Sequence, residues 1–287
     1  MMNKTAQYFI EELALMAKTG RPQDCEDAIY NGPHFVAVID GATAKADRRW
    51  DGETGGRVAA RIISDFLGEL AYDATAFEAF DGMTARIRQF YEAQGVLDSV
   101  TANPAQRIIA VAAIVSFFHE EIWSVGDCQY LLNEQHIAQH KTVDIVAAEA
   151  RAMFLETELA RGVTQEELKI FDSGRDFILP LLIRQLQFQN NPFVGVYSFA
   201  AVDGFPIPID NVRVQTIPDD ISSIVLATDG YPLLRSSLAE SEAALRELLH
   251  DDPLLFRKYK STKGLQHGNV SFDDRAYVKL ARSQWTA

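Results

Sequence analysis

Apolar residues along this chain form two kinds of segment. Short apolar runs bounded by glycine, proline or polar residues predict buried strands near both ends of the chain. Longer segments with an apolar residue every three or four positions predict amphipathic helices. The predicted strands are residues 12–18, 34–40, 196–204, 212–218, 222–230 and 275–281, and the predicted helices are residues 54–70, 76–93, 144–162, 176–189 and 241–250.

Two further apolar runs, residues 107–118 and 121–132, predict a β-hairpin because β-branched and aromatic residues dominate both of them. Strands at both ends of the chain therefore flank helices in sequence, without a regular βαβ alternation. This order predicts a mixed α+β domain with two layers of strand. We expect one domain over residues 1–287, with a helical lid or insertion at about 133–195.

Composition and charge narrow the classes of partner. The net charge is −13, from 27 Lys+Arg against 40 Asp+Glu, which disfavours nucleic acid and anionic membrane as partners. No apolar run approaches the roughly 18 residues that span a bilayer. Glu11 and Glu12 interrupt the first apolar segment, so it does not resemble a signal peptide. Cys25 and Cys128 alone cannot build a disulfide framework. We expect a cytoplasmic protein.

Carboxylates stand at or within strands whose other residues favour burial. A single Asp-Gly after a strand is typical of a turn or a helix N-cap. Several partly buried carboxylates repel one another, however, and hard cations such as Mg²⁺ and Mn²⁺ relieve that repulsion. A glycine after the aspartate permits a close approach of the backbone, so that its carbonyl could also bind a cation. The carboxylates are Glu26-Asp27, Asp40 before Gly41, Asp127, Asp229 before Gly230, and Asp273-Asp274.

The order of these motifs resembles the PP2C (PPM) family of metal-dependent protein phosphatases, in a divergent bacterial form. That family reads E-D-A, D-G, a glycine-led helix, V-G-D-S-R, S/T-D-G and D-N-x-T, and the match here extends from about residue 20 to residue 280. The resemblance implies a four-layer α-β-β-α sandwich of two antiparallel sheets flanked by helices. It also implies hydrolysis of phosphoserine or phosphothreonine on a protein by a metal-activated water.

Carried over residue by residue, the resemblance implies a site for two Mn²⁺ or Mg²⁺ ions between the sheet edges. One carboxylate bridges the ions, and the others complete their ligand sets directly or through water. Asp40 would be the bridging ligand. The other ligands of the two ions would be the Gly41 carbonyl, Asp229, Asp273, Glu26 and Asp27. Asp127 would bind a possible third ion, and Arg21 would bind the phosphate.

Several positions depart from the family pattern. Residues 42–44 read Ala-Thr-Ala where relatives have His-Gly-Gly or Met-Gly-Gly, so the histidine proposed as a general acid is absent. Leu233 stands where a third-ion ligand is expected, so we expect a third ion to bind weakly or not at all. Arg21 lies five residues before Glu26, whereas the family arginine lies four residues before it.

These departures leave two alternatives to a protein phosphatase. The first is a non-catalytic relative that keeps the fold and binds a regulatory protein, for which the helical insertion offers a surface. The second is a phosphatase acting on a small phosphorylated metabolite. Retention of Asp40, Asp229 and Asp273 favours catalysis over the first alternative.

Overall fold

The computed structural model describes residues 8–42 and 48–283. Within these residues ten strands form two five-stranded sheets in which every pairing is antiparallel, in the orders β1-β10-β9-β6-β7 and β2-β3-β4-β5-β8. The strands are β1 (Tyr8–Met16), β2 (Ala28–Asn31), β3 (Phe35–Gly41), β4 (Ala110–Ser116), β5 (Glu121–Val125), β6 (Gln129–Leu132), β7 (Gln135–Ile137), β8 (Arg213–Thr216), β9 (Ser223–Ala227) and β10 (Arg275–Arg282).

Seven α-helices lie in the described part of the chain. Side-chain caps fix where the two longest amphipathic helices of the first half begin: the Thr54 hydroxyl accepts from the Arg57 amide, and Thr75 with Glu78 forms a capping box. The helices are α1 (Gly55–Glu69), α2 (Ala76–Ala93), α3 (Leu97–Ala102), α4 (Thr142–Ala160), α5 (Gln165–Ile170), α6 (Ser173–Arg184) and α7 (Leu238–Asp251).

The elements stack in four layers. The two sheets pack face to face through apolar side chains such as Val38, Val115 and Leu226. Helices α1 and α2 cover the outer face of the sheet that contains β3, and α7 covers the outer face of the sheet that contains β9. The prediction of an α+β sandwich of two antiparallel sheets flanked by helices is confirmed. No helix in the described ranges is long and apolar enough to cross a membrane.

Two predicted strands were wrong. Residues 121–132 are not one strand, because β5 ends at Val125 in one sheet and β6 begins at Gln129 in the other. Gly126 has a φ of 87°, a left-handed backbone that suits glycine and turns the chain between the sheets. Residues 196–204 form a 3₁₀ turn and isolated bridges. There the buried Asp203 carboxylate accepts hydrogen bonds from Arg107 and Gln189, and this side-chain network holds the segment without strand pairing.

Helices α4, α5 and α6 lie between β7 and β8 in sequence and pack against residues 252–264. The fully buried Arg151 of α4 joins these parts. Its guanidinium donates to Asp172, which caps α6, and to the carbonyls of Leu255 and Ser261. The buried Arg151 guanidinium therefore connects the helical segment to residues 252–264. A lid role for the helices remains a prediction.

Candidate functional site

One cavity of about 280 Å³ opens where strands of both sheets end, and five of the predicted site residues line it. Asp40 and Gly41 end β3 in one sheet. Asp229 follows β9 and Asp273 precedes β10 in the other sheet, and Asp127 lies in the crossing between the sheets. The fold thus brings together carboxylates that are far apart in sequence.

Gly41 and Gly230, which follow Asp40 and Asp229, lie in close contact with the backbone of other segments. A Cβ on Gly41 would lie 2.3 Å from the carbonyl oxygen of Glu26 and 2.5 Å from that of Gly56, and a Cβ on Gly230 would lie 2.1 Å from that of Asp274. Neither glycine has a positive φ, so a turn conformation does not explain them. The glycines therefore allow the segments that carry the acidic residues to touch.

Burial and mutual repulsion disfavour the charged forms of several carboxylates in this part of the structure. Burial, followed by the nearby Asp27, Asp127 and Asp273 carboxylates, raises the pKa of Asp40 well above its ordinary value. Burial and then the Asp40 carboxylate raise the pKa of Asp229 in the same way. Asp27 follows the same direction, with burial as the first cause and Asp273 as the second. A bound cation would favour the charged forms.

Lysines pair with Asp127 and Asp273 and offset their negative charge. Lys141 Nζ lies 2.8 Å from Asp127 Oδ2, and Lys263 forms an ion pair with Asp273. Burial opposes charge on Asp273, but the ammonium groups of Lys263 and Lys18 prevail and lower its pKa. The sequence patterns give no signal for these lysines. No motif contains Lys18 or Lys263, so only the fold could reveal them.

The oxygen atoms that line the cavity fit a divalent cation. Asp40 and Asp229 offer carboxylate oxygens and Gly41 a backbone carbonyl, a set that suits Mg²⁺ or Mn²⁺. Oδ1 of Asp127 is buried and accepts no hydrogen bond within the described part of the chain. In that same part, no three His, Cys, Asp or Glu side chains already form a group able to hold a metal ion. Asp40, Asp229 and Gly41 therefore fit a hard cation, whereas Asp127 and Asp273 are paired with lysines.

Other predicted residues lie outside the cavity lining. Asp27 stands behind it and accepts from the Thr228 hydroxyl at 2.8 Å, and Glu26 faces Lys18 at 3.5 Å. Arg21 is exposed and pairs with Asp24 at 2.6 Å, so the structure does not bring it to the carboxylates. The basic side chains that do line the cavity include Lys141, Lys263, Arg107 and Arg175.

Two of the departures from the family pattern can be located. Leu233 is 40% exposed and does not line the cavity, although its neighbours Tyr231 and Pro232 do. Ala42 lines the cavity next to Gly41. Thr43 and Ala44 lie outside the described residues. Asp274, the aspartate found where relatives have asparagine, accepts hydrogen bonds from the backbone amides of Lys18 and Glu26.

Comparison with solved structures shows the same fold. The catalytic domain of the serine/threonine protein phosphatase PstP, solved with two manganese ions, is 15% identical with a TM-score of 0.50 over 97% of this chain and 99% of that chain. PstP/Ppp of Mycobacterium tuberculosis is 15% identical with a TM-score of 0.48, over 97% of this chain and 99% of that chain. PppA, a regulatory component of T6SS in Pseudomonas aeruginosa, is 14% identical with a TM-score of 0.48 over the same shares.

Neither a family model nor a curated protein sequence matches this chain. The likeness to the manganese-bound PstP domain shows that the chain has the fold of PP2C-type phosphatases, as the motif order predicted.

Proposed function

We propose that this chain hydrolyses phosphoserine or phosphothreonine on proteins, using Mn²⁺ or Mg²⁺ held at the acidic cavity. The observation that carries the proposal is the convergence of Asp40, Asp127, Asp229 and Asp273 from both sheets on one cavity. The manganese complex of the PstP domain, which shares the fold, supports the choice of a divalent cation.

Within this proposal the chain's own residues hold the cation and receive the phosphate. Asp40, Asp229 and Gly41 line the cavity, and their carboxylate and carbonyl oxygens would be the ligands of the cation. A divalent cation, when bound, lowers the pKa of a water and stabilises charge on phosphate oxygens. The Lys263 ammonium and the Arg175 guanidinium line the same cavity and favour an anionic substrate group.

A cysteine nucleophile is not needed. Cys25 and Cys128 are buried free thiols, and burial raises the pKa of Cys25 to about 12, so its reactive thiolate form is scarce at neutral pH. Hydrolysis by water is therefore the simpler route, without a phosphorylated cysteine.

The size of the cavity is compatible with a phosphorylated side chain of a protein and with a small phosphate ester. Pockets for drug-sized molecules commonly enclose roughly 300–1,000 Å³, and this cavity of about 280 Å³ lies just below that range. A phosphorylated side chain fits such a space while the rest of its protein remains outside. Hydrolysis of a small metabolite stays the alternative substrate class.

A non-catalytic role is the second candidate, and a specific observation favours it. Lys141 and Lys263 already pair with Asp127 and Asp273, so these carboxylates are partly neutralised without any metal. A non-catalytic chain would keep the sandwich and bind a regulatory protein, for example through helices α4 to α6. Such a chain needs these internal ion pairs and no bound metal.

Phosphate release separates these candidates. Wild-type protein is assayed with phosphoserine peptides, phosphothreonine peptides and small phosphate esters in Mn²⁺, Mg²⁺ or EDTA. We expect metal-dependent release that is fastest from the peptides, lost in Asp229→Asn and kept in the control Asp220→Asn, whose side chain is exposed. Faster release from the small esters would favour a metabolite phosphatase. No release from any ester would leave the non-catalytic role.

A further inference from the structure

Ammonium groups pair with two carboxylates of the acidic cavity. Lys141 Nζ lies 2.8 Å from Asp127 Oδ2. Asp273, whose side chain is 11% exposed, forms an ion pair with Lys263 and lies 3.9 Å from the Nζ of Lys18. Two carboxylates that the motif order assigns to metal ions are therefore each bound to an internal cation.

The backbone of each lysine beside Asp273 is fixed. Residues 261 and 262 are held by buried or partly buried arginines: Arg151 donates to the Ser261 carbonyl at 3.0 Å and Arg175 to the Thr262 carbonyl at 2.7 Å. Lys263 is the next residue in the chain after Thr262, so these hydrogen bonds also position its backbone. On the other side, the Lys18 amide donates to Asp274 Oδ1 at 2.8 Å. These anchors position the ammonium groups, so the pairing is part of the fold.

Asp40 and Asp229 differ from Asp127 and Asp273 in their partners. In the described ranges, no lysine, arginine or histidine nitrogen lies within the 4.0 Å ion-pair distance of Asp40 or Asp229. A divalent cation at these two carboxylates would relieve their mutual repulsion. A second divalent cation at Asp273 would instead have to displace a lysine or bind next to its ammonium group. Two cations within a few ångströms of each other repel strongly.

We propose that Lys263 and Lys18 take the place of one divalent cation at Asp273 and that Lys141 takes the place of another at Asp127. The cavity then binds a single divalent cation, at Asp40 and Asp229. This inference rests on the proposed function, because it concerns the number of ions at the same site. It replaces the expectation of two ions with one ion and resident lysines.

Counting bound manganese tests the inference. Full-length protein is dialysed to equilibrium against Mn²⁺ and its metal content measured. We expect one ion per wild-type chain and two per Lys263→Met chain, because that variant removes the ammonium group that pairs directly with Asp273 and leaves the more distant Lys18, at 3.9 Å. The matched control is Lys258→Met, from the same segment, whose lysine is exposed and pairs with Asp251; it should bind one ion.

A second readout is thermal melting with and without Mn²⁺. Lys263→Met should melt earlier than wild type in EDTA, since it leaves the buried Asp273 short of a partner, and Mn²⁺ should restore most of the loss. A lysine with only a structural role would give the loss without the restoration, which would count against the proposal.

The outcomes that overturn the inference are distinct from failure of the proposed function. Two ions per wild-type chain, or one ion per Lys263→Met chain, overturns the inference while phosphate release can continue. No bound manganese in any variant overturns it as well, and absence of phosphate release would then remove the proposed function too. If Lys263→Met fails to fold, the wild-type count alone decides.

Discussion

Arg151 offers the sharpest test of how the helical segment is held above the cavity. Its guanidinium is fully buried on α4 and donates to Asp172 at 3.0 and 2.6 Å. It also donates to the carbonyls of Leu255 at 3.2 Å and Ser261 at 3.0 Å. Arg151→Met keeps a long side chain in this space and removes all of these hydrogen bonds.

The magnitude follows from what the substitution leaves behind. Breaking a buried ion pair by removing one partner costs about 3–5 kcal/mol, because the remaining charge is uncompensated. Asp172 keeps its hydrogen bond from the Arg175 amide, which offsets part of that cost, but the two carbonyls lose a donor. We therefore expect the free energy of unfolding to fall by about 3–5 kcal/mol.

A matched control joins the same two parts of the chain. Arg257 pairs with Glu156 of α4 at 2.7 and 2.8 Å, but both side chains are about half exposed. Exposed pairs contribute about 0–1 kcal/mol, so Arg257→Met should have little effect. Both variants are compared with wild type by urea unfolding, with equal slopes required for the comparison. Equal losses in the two variants, or a loss under about 1 kcal/mol for Arg151→Met, would refute the reasoning.

Two further predictions concern the cavity. In EDTA the stability that depends on Asp40 and Asp229 is present below their unfolded pKa of about 4 and lost as pH rises through their raised folded pKa values. Thermal melting between pH 5 and 8 should therefore show a downward trend that Asp40→Asn flattens, and an identical trend in both proteins would contradict this. Gly41→Ala should destabilise the protein by about 1–3 kcal/mol, because its Cβ meets backbone. Gly68→Ala, on an exposed helix surface, should be neutral or stabilising by up to ~1 kcal/mol; equal melting of the two variants would refute the close-contact explanation.

The sequence predicted the sandwich and the acidic positions for reasons that the structure makes clear. The apolar run at residues 34–40 lies in a buried strand, so its apolar pattern was strong, and it ends at Asp40 before Gly41. That Asp40 and Asp229 meet across two sheets could not be inferred from spacing. The order of motifs shared with the phosphatase family suggested it, and the cavity lining places both residues together.

Tertiary contacts account for what the sequence did not predict. The strand expected at residues 196–204 is absent because hydrogen bonds to the Asp203 side chain hold that segment. Lys18 ends a predicted strand and Lys263 lies far from it in sequence, and the two meet at Asp273 only after folding. Arg21 had a plausible position in sequence, but its local pairing with Asp24 holds it at the surface.

The most direct test of the central claim is a paired measurement on Asp40→Asn. The amide keeps the shape of the side chain and loses the charge that would hold a cation. We predict that Mn²⁺-dependent release of phosphate from phosphopeptides is abolished. We also predict that the melting temperature in EDTA equals or exceeds that of wild type, because carboxylate repulsion is relieved. Full activity together with earlier melting, by the ~1 kcal/mol expected for a capping or turn aspartate, would contradict the metal-dependent account.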